Sequence, residues 1–171
     1  GLLIQNASPT ATPFSNQFQL GFEIADSTDF TFQSNLQDNP FTPQSGSIEH
    51  TGNISFLVGG DVNLTIGDFS VGFDAERVSE TTSGFFVADT LEDGIGHDIL
   101  FDLGMPDLIL VKYVALTIAG TALLPAPDQA DLLGSLSAVC TGECNVRVDA
   151  DLAAQPRTGP PDTPTSDHLG P

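Results

Sequence analysis

The sequence predicts an all-β fold, an antiparallel β-sandwich or jelly-roll, and three observations carry that prediction. Short runs of alternating apolar and polar residues recur through most of the chain. Glycine- and aspartate-rich turns separate them at close intervals. Only one segment has the character of a helix.

Taken in order, residues 1–16 form an extended arm with an apolar "LLI" near its tip, which suggests that it docks somewhere. In "QFQLGFEI", residues 17–24, Phe18, Leu20, Phe22 and Ile24 alternate with Gln17, Gln19, Gly21 and Glu23, so this is a strand with one buried face. "ADSTD" reads as a turn, "FTFQ" as extended chain, and residues 34–47, with two prolines, as a loop. "NISFLV", "VNLTI" and "FSVGF" are strands joined by "GGD" and "GD" turns. "DAERVSETTSG" is polar, with one helical turn around Ala75 to Val78, and "FFVADT" is a further strand. "LEDGIGHD" is an acidic loop before the strand "ILFDL" and the turn "GMPD". "LILVKYV" and "ALTIAG" are two strands or one kinked strand.

The helix is placed at residues 127–139, where Pro127 and Asp128 suit a helix start and Leu132, Leu133 and Leu136 would face the core. "NVRVDADL" is the last strand, and the proline-rich residues 153–171 are expected to be extended or disordered. The domain reading is therefore an arm (1–16), one β-sandwich domain (17–152) and a tail (153–171).

Composition excludes some functions. Apolar residues make up 40% of the 171, enough for a core. Only Arg77, Lys112, Arg147 and Arg157 are basic against 23 acids, a formal net charge of -19. Four scattered cations cannot form the basic patch a nucleic-acid binder needs. The acidity reads as a soluble, salt-adapted or cation-binding surface. No stretch is long and apolar enough for a membrane-spanning helix, and no signal peptide or initiator Met is seen at Gly1, as in a processed mature form, although a chosen boundary would look the same.

Catalytic motifs are missing from the sequence. His50, His97 and His168 are each isolated, there is no tryptophan, Tyr113 is the one tyrosine, and no nucleophile elbow or phosphate loop occurs. The chain is expected not to be an enzyme. The best chemical cluster is "ADTLEDGIGHD", where Asp89, Glu92, Asp93 and Asp98 could supply oxygens to calcium, which takes about six to eight. The alternative is a solvated acidic turn. No cofactor is required, and calcium is the one the residues suggest. "CTGEC" reads as a local disulfide Cys140–Cys144, with two thiols as the alternative, and a disulfide implies export. Asn53 in "NIS" and Asn63 in "NLT" are glycosylation candidates, whereas Pro9 disfavours "NAS" at Asn6.

The block Leu64 to Asp74, with Arg77–Val78, Ser83 to Thr90 and the later "ALTIAGTALLPAPDQADLLGSL", resembles exported bacterial proteins of the PEP-CTERM class, the cargo of exosortase systems. The resemblance covers about residues 54–150. It implies an extracellular, cell-surface or matrix-associated β-rich protein of a biofilm- or exopolysaccharide-forming bacterium, with no catalytic residues. The Pro-Glu-Pro motif, membrane helix and basic terminus of that class do not follow here. Processing removes them, or the chain is exported by another route.

Two functions follow as expectations. One is a structural protein of the cell surface or biofilm matrix, a filament subunit whose partner is another copy of itself and whose assembly strand is Phe18, Leu20, Phe22 and Ile24. The other is a monomeric secreted β-sandwich that binds extracellular polysaccharide or calcium.

Overall fold

A computed structural model describes residues 2–13, 15–34, 41–58, 62–94, 98–112, 115–127, 145–151 and 167–169. These residues form an all-β, sandwich-like fold of antiparallel strands. The strands are β1 (Leu2–Ser8), β2 (Glu23–Ile24), β3 (Thr31–Ser34), β4 (Phe41–Ser45), β5 (Ser47–Thr51), β6 (Asn53–Val58) and β7 (Val62–Gly67). They continue as β8 (Ser70–Val78), β9 (Thr82–Ala88), β10 (Ile99–Gly104), β11 (Leu108–Lys112), β12 (Ala115–Pro125), β13 (Asn145–Asp151) and β14 (Asp167–Leu169).

The large sheet runs β2–β5–β8–β9–β10 and on to β12, which also pairs β11 and β13. β10 and β11 lie along one line. Phe101 stands opposite Pro125 and Leu103 opposite Leu123, and the pairing resumes with Leu108 opposite Ala119 and Lys112 opposite Ala115. Residues 99–112 and 115–125 therefore pair as two long antiparallel arms, interrupted at Met105–Asp107. The "LILV" and "ALTIAG" runs lie one in each arm, so these are two strands and not one kinked strand.

Two three-stranded sheets, β1–β6–β7 and β14–β3–β4, pack on the large one. Phe30 and Phe32 are buried with Phe85, Val87, Leu103, Val111, Leu116 and Ile118 in one cluster. Phe56, Ile66 and Leu100 form a second, and Phe69 and Phe101 touch both. The alternation of "VNLTI" produces the second cluster: Leu64 and Ile66 face the large sheet, and Asn63 is exposed.

The arm docks as its apolar tip suggests, because Leu2–Ser8 forms an antiparallel ladder with β6, interrupted by a register shift between Ile4 and Asn6. Other expectations change. The strand expected at residues 17–24 is strand only at Glu23–Ile24, opposite Thr51 and His50. Upstream, the Phe18 amide turns back to the Ser15 carbonyl at 3.1 Å, and Gly21 bridges Ala11. Its alternation survives as burial: Phe18, Leu20, Phe22 and Ile24 are half-buried while Gln17, Gln19 and Glu23 are exposed.

The loop expected at residues 34–47 contains β4 and the start of β5. Pro43 is tolerated there because β4 is an edge strand with only β3 beside it among the described strands. The helical turn expected at Ala75 to Val78 is instead the end of β8. Asp167–Leu169, expected to be extended or disordered, pairs with β3. The expected helix at residues 127–139 lies, beyond residue 127, outside the described residues.

Candidate functional site

The acidic cluster singled out in the sequence sits where the β7–β8 turn meets the end of β9. Asp68 holds the turn at φ 44°, a left-handed backbone that Asp tolerates better than most residues. Its Oδ1 accepts from the Gly52 amide at 3.1 Å, and its own amide donates to the Gly52 carbonyl at 2.7 Å. Asp89 follows β9 and is fully buried. Its Oδ1 accepts from the Gly67 amide at 2.8 Å and the Leu91 amide at 3.3 Å. Thr90 completes the lock. Its amide donates to the Gly67 carbonyl at 3.1 Å and its hydroxyl to the Asp68 carbonyl.

Gly94 then passes so close to Asp89 Oδ2 that a side chain there would collide with it. The Asp89 amide donates to the Asp98 carbonyl at 3.1 Å. Asp89 is thus enclosed by backbone amides, while Glu92, Asp93 and Asp98 are exposed. Among the described residues no group of three His, Cys, Asp or Glu side chains is placed to hold a metal ion. Ile95 to His97 lie outside the described residues.

A second cluster was not legible as a site. Phe86 of β9 lies between Gly72 of β8 and Asp102 of β10 in register. Its ring occupies the space a side chain at Gly72 would need. The Arg77 guanidinium carbon stands 5.8 Å from the Phe86 centroid, and Arg77 Nε donates to Asp102 Oδ1 at 2.7 Å. Asp102 is buried, so this pairing supplies the counter-charge its burial requires. The signal was the lone basic residue in the polar stretch after β8's apolar half.

The expected assembly strand is packed within its own chain. Phe22 meets Phe69 edge-on, with centroids 5.1 Å apart and an interplanar angle of 69°. Ile24 packs against the main core. Its partner His50 is half-buried, and Nδ1 donates to the Phe69 carbonyl at 3.0 Å, because a carbonyl only accepts. Desolvation by burial lowers the His50 pKa from 6.5, against backbone hydrogen bonds that raise it.

The glycosylation candidates differ in setting. Asn63 is exposed on β7, whereas Asn53 is half-buried with its Cβ close to Gly67. Cys140 and Cys144 lie outside the described residues. Among the described residues, no helix is long and apolar enough to cross a membrane. Comparison with protein-family models, with curated proteins and with solved structures finds no match to this chain.

Proposed function

We propose that the chain is an extracellular structural protein of a cell surface or biofilm matrix, a subunit that assembles with copies of itself by exchanging its N-terminal strand. The observation that carries this is β1. Leu2–Ser8 contains no charged residue, lies at the edge of its sheet and pairs only with β6 among the described strands. An edge strand paired on one side alone can be replaced by the same strand of another copy with every ladder bond conserved. β1 is the donor proposed here in place of residues 17–24, of which only Glu23–Ile24 forms a strand ladder.

The test uses the Ser8–Asn53 register pair. Ser8→Cys and Asn53→Cys, each in a Cys140→Ser/Cys144→Ser background, are mixed, refolded together and oxidised. Covalent chains joined between the two variants are the expected product, with filaments in negative-stain images of the unmodified protein. Cross-linking found only when both cysteines share one chain would sink the reading.

A second reading rests on one face of the β1–β6–β7 sheet. Asn6, Ser8, Asn53, Ser55, Asn63 and Thr65 share it by register, and none is charged in a strongly acidic chain. Neutral amides and hydroxyls suit the hydroxyls of a neutral polysaccharide. Specific retention on such a polysaccharide, lost in Asn63→Asp and Ser55→Asp, would support it.

A further inference from the structure

Most sheet edges described in this molecule carry a device against edge-to-edge pairing. β4 carries Pro43, and β2 is two residues long. β13 carries Arg147, Asp149 and Asp151, and β1 is interrupted by its register shift. β7 is closed at one end, where Gly67 bonds Thr90 and Asp89. These are the usual means by which soluble β proteins avoid edge-to-edge association.

β11 has only one of them, the charge of Lys112 at its very end. Among the described strands it pairs only with β12, in unbroken register, and Leu108 to Val111 contain neither a charge nor a proline. Ile109 and Val111 face the core, while Leu108 and Leu110 are 43% and 40% exposed on the opposite side. Met105, 59% exposed, precedes them on the same line of chain. The register also brings the exposed Val78 to this end of the sheet: Val78 stands opposite Ser83, and Gly104 opposite Thr82.

We propose that β11 is a self-association edge, on which β11 of a second copy pairs antiparallel about a two-fold axis at Leu110. An open backbone edge is satisfied by another strand and not by a lipid or a sugar, because it needs a row of alternating donors and acceptors. The partner strand must bring little negative charge, and in a chain of net charge -19 the strand Leu108–Lys112 brings none. The register is self-complementary. With Leu110 opposite its own copy, Ile109 stands opposite Val111 and Leu108 opposite Lys112. Every apolar residue keeps its face, as an antiparallel ladder demands. The two large sheets then become one sheet running through both copies. This interface is separate from β1 exchange.

Sedimentation velocity over a concentration series tests the pairing. The chain lacking Leu2–Ser8, which cannot exchange β1, is expected to form a dimer, and Leu110→Glu, which sets like charges against each other at the axis, to lower its association constant at least about tenfold. Leu108→Glu provides a second exposed position should the first variant misfold. In a Cys140→Ser/Cys144→Ser background, Leu110→Cys is expected to oxidise to a covalent dimer faster than Leu108→Cys, because only residue 110 faces itself. A chain that remains monomeric at every concentration overturns the proposal, and so does a dimer that both Glu variants leave intact. With Leu2–Ser8 absent, a dimer cannot arise by exchange of β1, so the failure of this pairing and that of strand exchange are read apart.

Discussion

Arg77 Nε donates to Asp102 Oδ1 at 2.7 Å across strand β9, and the Phe86 ring lies beneath the guanidinium. The pair spans β8 to β10 and fixes their relative position on the side away from the phenylalanine core. Asp102→Ala leaves the guanidinium against an aromatic ring with no anion, and is expected to lower stability by about 1.5–3 kcal/mol. Chemical denaturation of Arg77→Met, Asp102→Ala and the double variant measures this. A double-mutant cycle without coupling would show that the contact contributes nothing.

Gly72 is the other half of that arrangement, because the Phe86 ring fills the space beside it. Gly72→Val forces the ring off its seat and is expected to destabilise by about 1–3 kcal/mol through overpacking. Pairing it with Phe86→Ala should recover part of that loss, and a double variant less stable than the sum of its parts would contradict the geometry.

Asp89 connects the end of β9 to the turn between β7 and β8. Asp89→Ala strips acceptors from the Gly67 and Leu91 amides, a loss of about 2–4 kcal/mol for one buried and one partly buried donor. Asp89→Asn retains a carbonyl oxygen and is expected to lose less. Equal melting temperatures for the two variants would mean that these hydrogen bonds do not hold the corner.

His50 makes stability depend on pH. Its folded pKa is lowered from 6.5, so below 6.5 the unfolded chain binds the proton more readily than the folded one. Stability from this residue is complete above pH 6.5 and falls as pH drops below it towards the folded pKa, by at most about 1.4 kcal/mol per pH unit. Melting curves of wild type and His50→Gln through this range should converge as pH falls. Parallel curves would remove His50 as the cause.

The sequence revealed the strands that bury one face and concealed those that depend on a neighbour. Leu64 and Ile66 alternate, and both side chains were found where that pattern places them. Leu2–Ser8 does not alternate, since its place is set by the edge of β6. Phe18, Leu20 and Phe22 lie half-buried without forming a ladder, because the reversal at Ser15–Phe18 and the bridge at Gly21 take the backbone bonds, and the ladder begins only at Glu23. Asp89 stood out as an acid and Asp68 as part of a turn, but the amides of Gly67 and Gly52 that they hold lie far along the chain, where no local spacing marks them. Pro43 obscured β4, because a proline excludes a central strand but not an edge.

The ladder order has a kinetic consequence. β6–β7, β8–β9, β9–β10 and β11–β12 join strands adjacent along the chain, whereas β1–β6, β5–β8 and β14–β3 close much longer loops. Local hairpins form before distant closures, which must first overcome the entropy of the intervening chain. Pulsed hydrogen exchange during refolding is expected to protect amides of β8–β10 before those of β1 and β5, and simultaneous protection would refute that order. If strand exchange operates as proposed, the edge of β6 would accept whichever copy of β1 arrives first while its own is still undocked. Protein concentration during refolding, more than the stability of the finished fold, would then decide whether the chain closes on itself or joins the next.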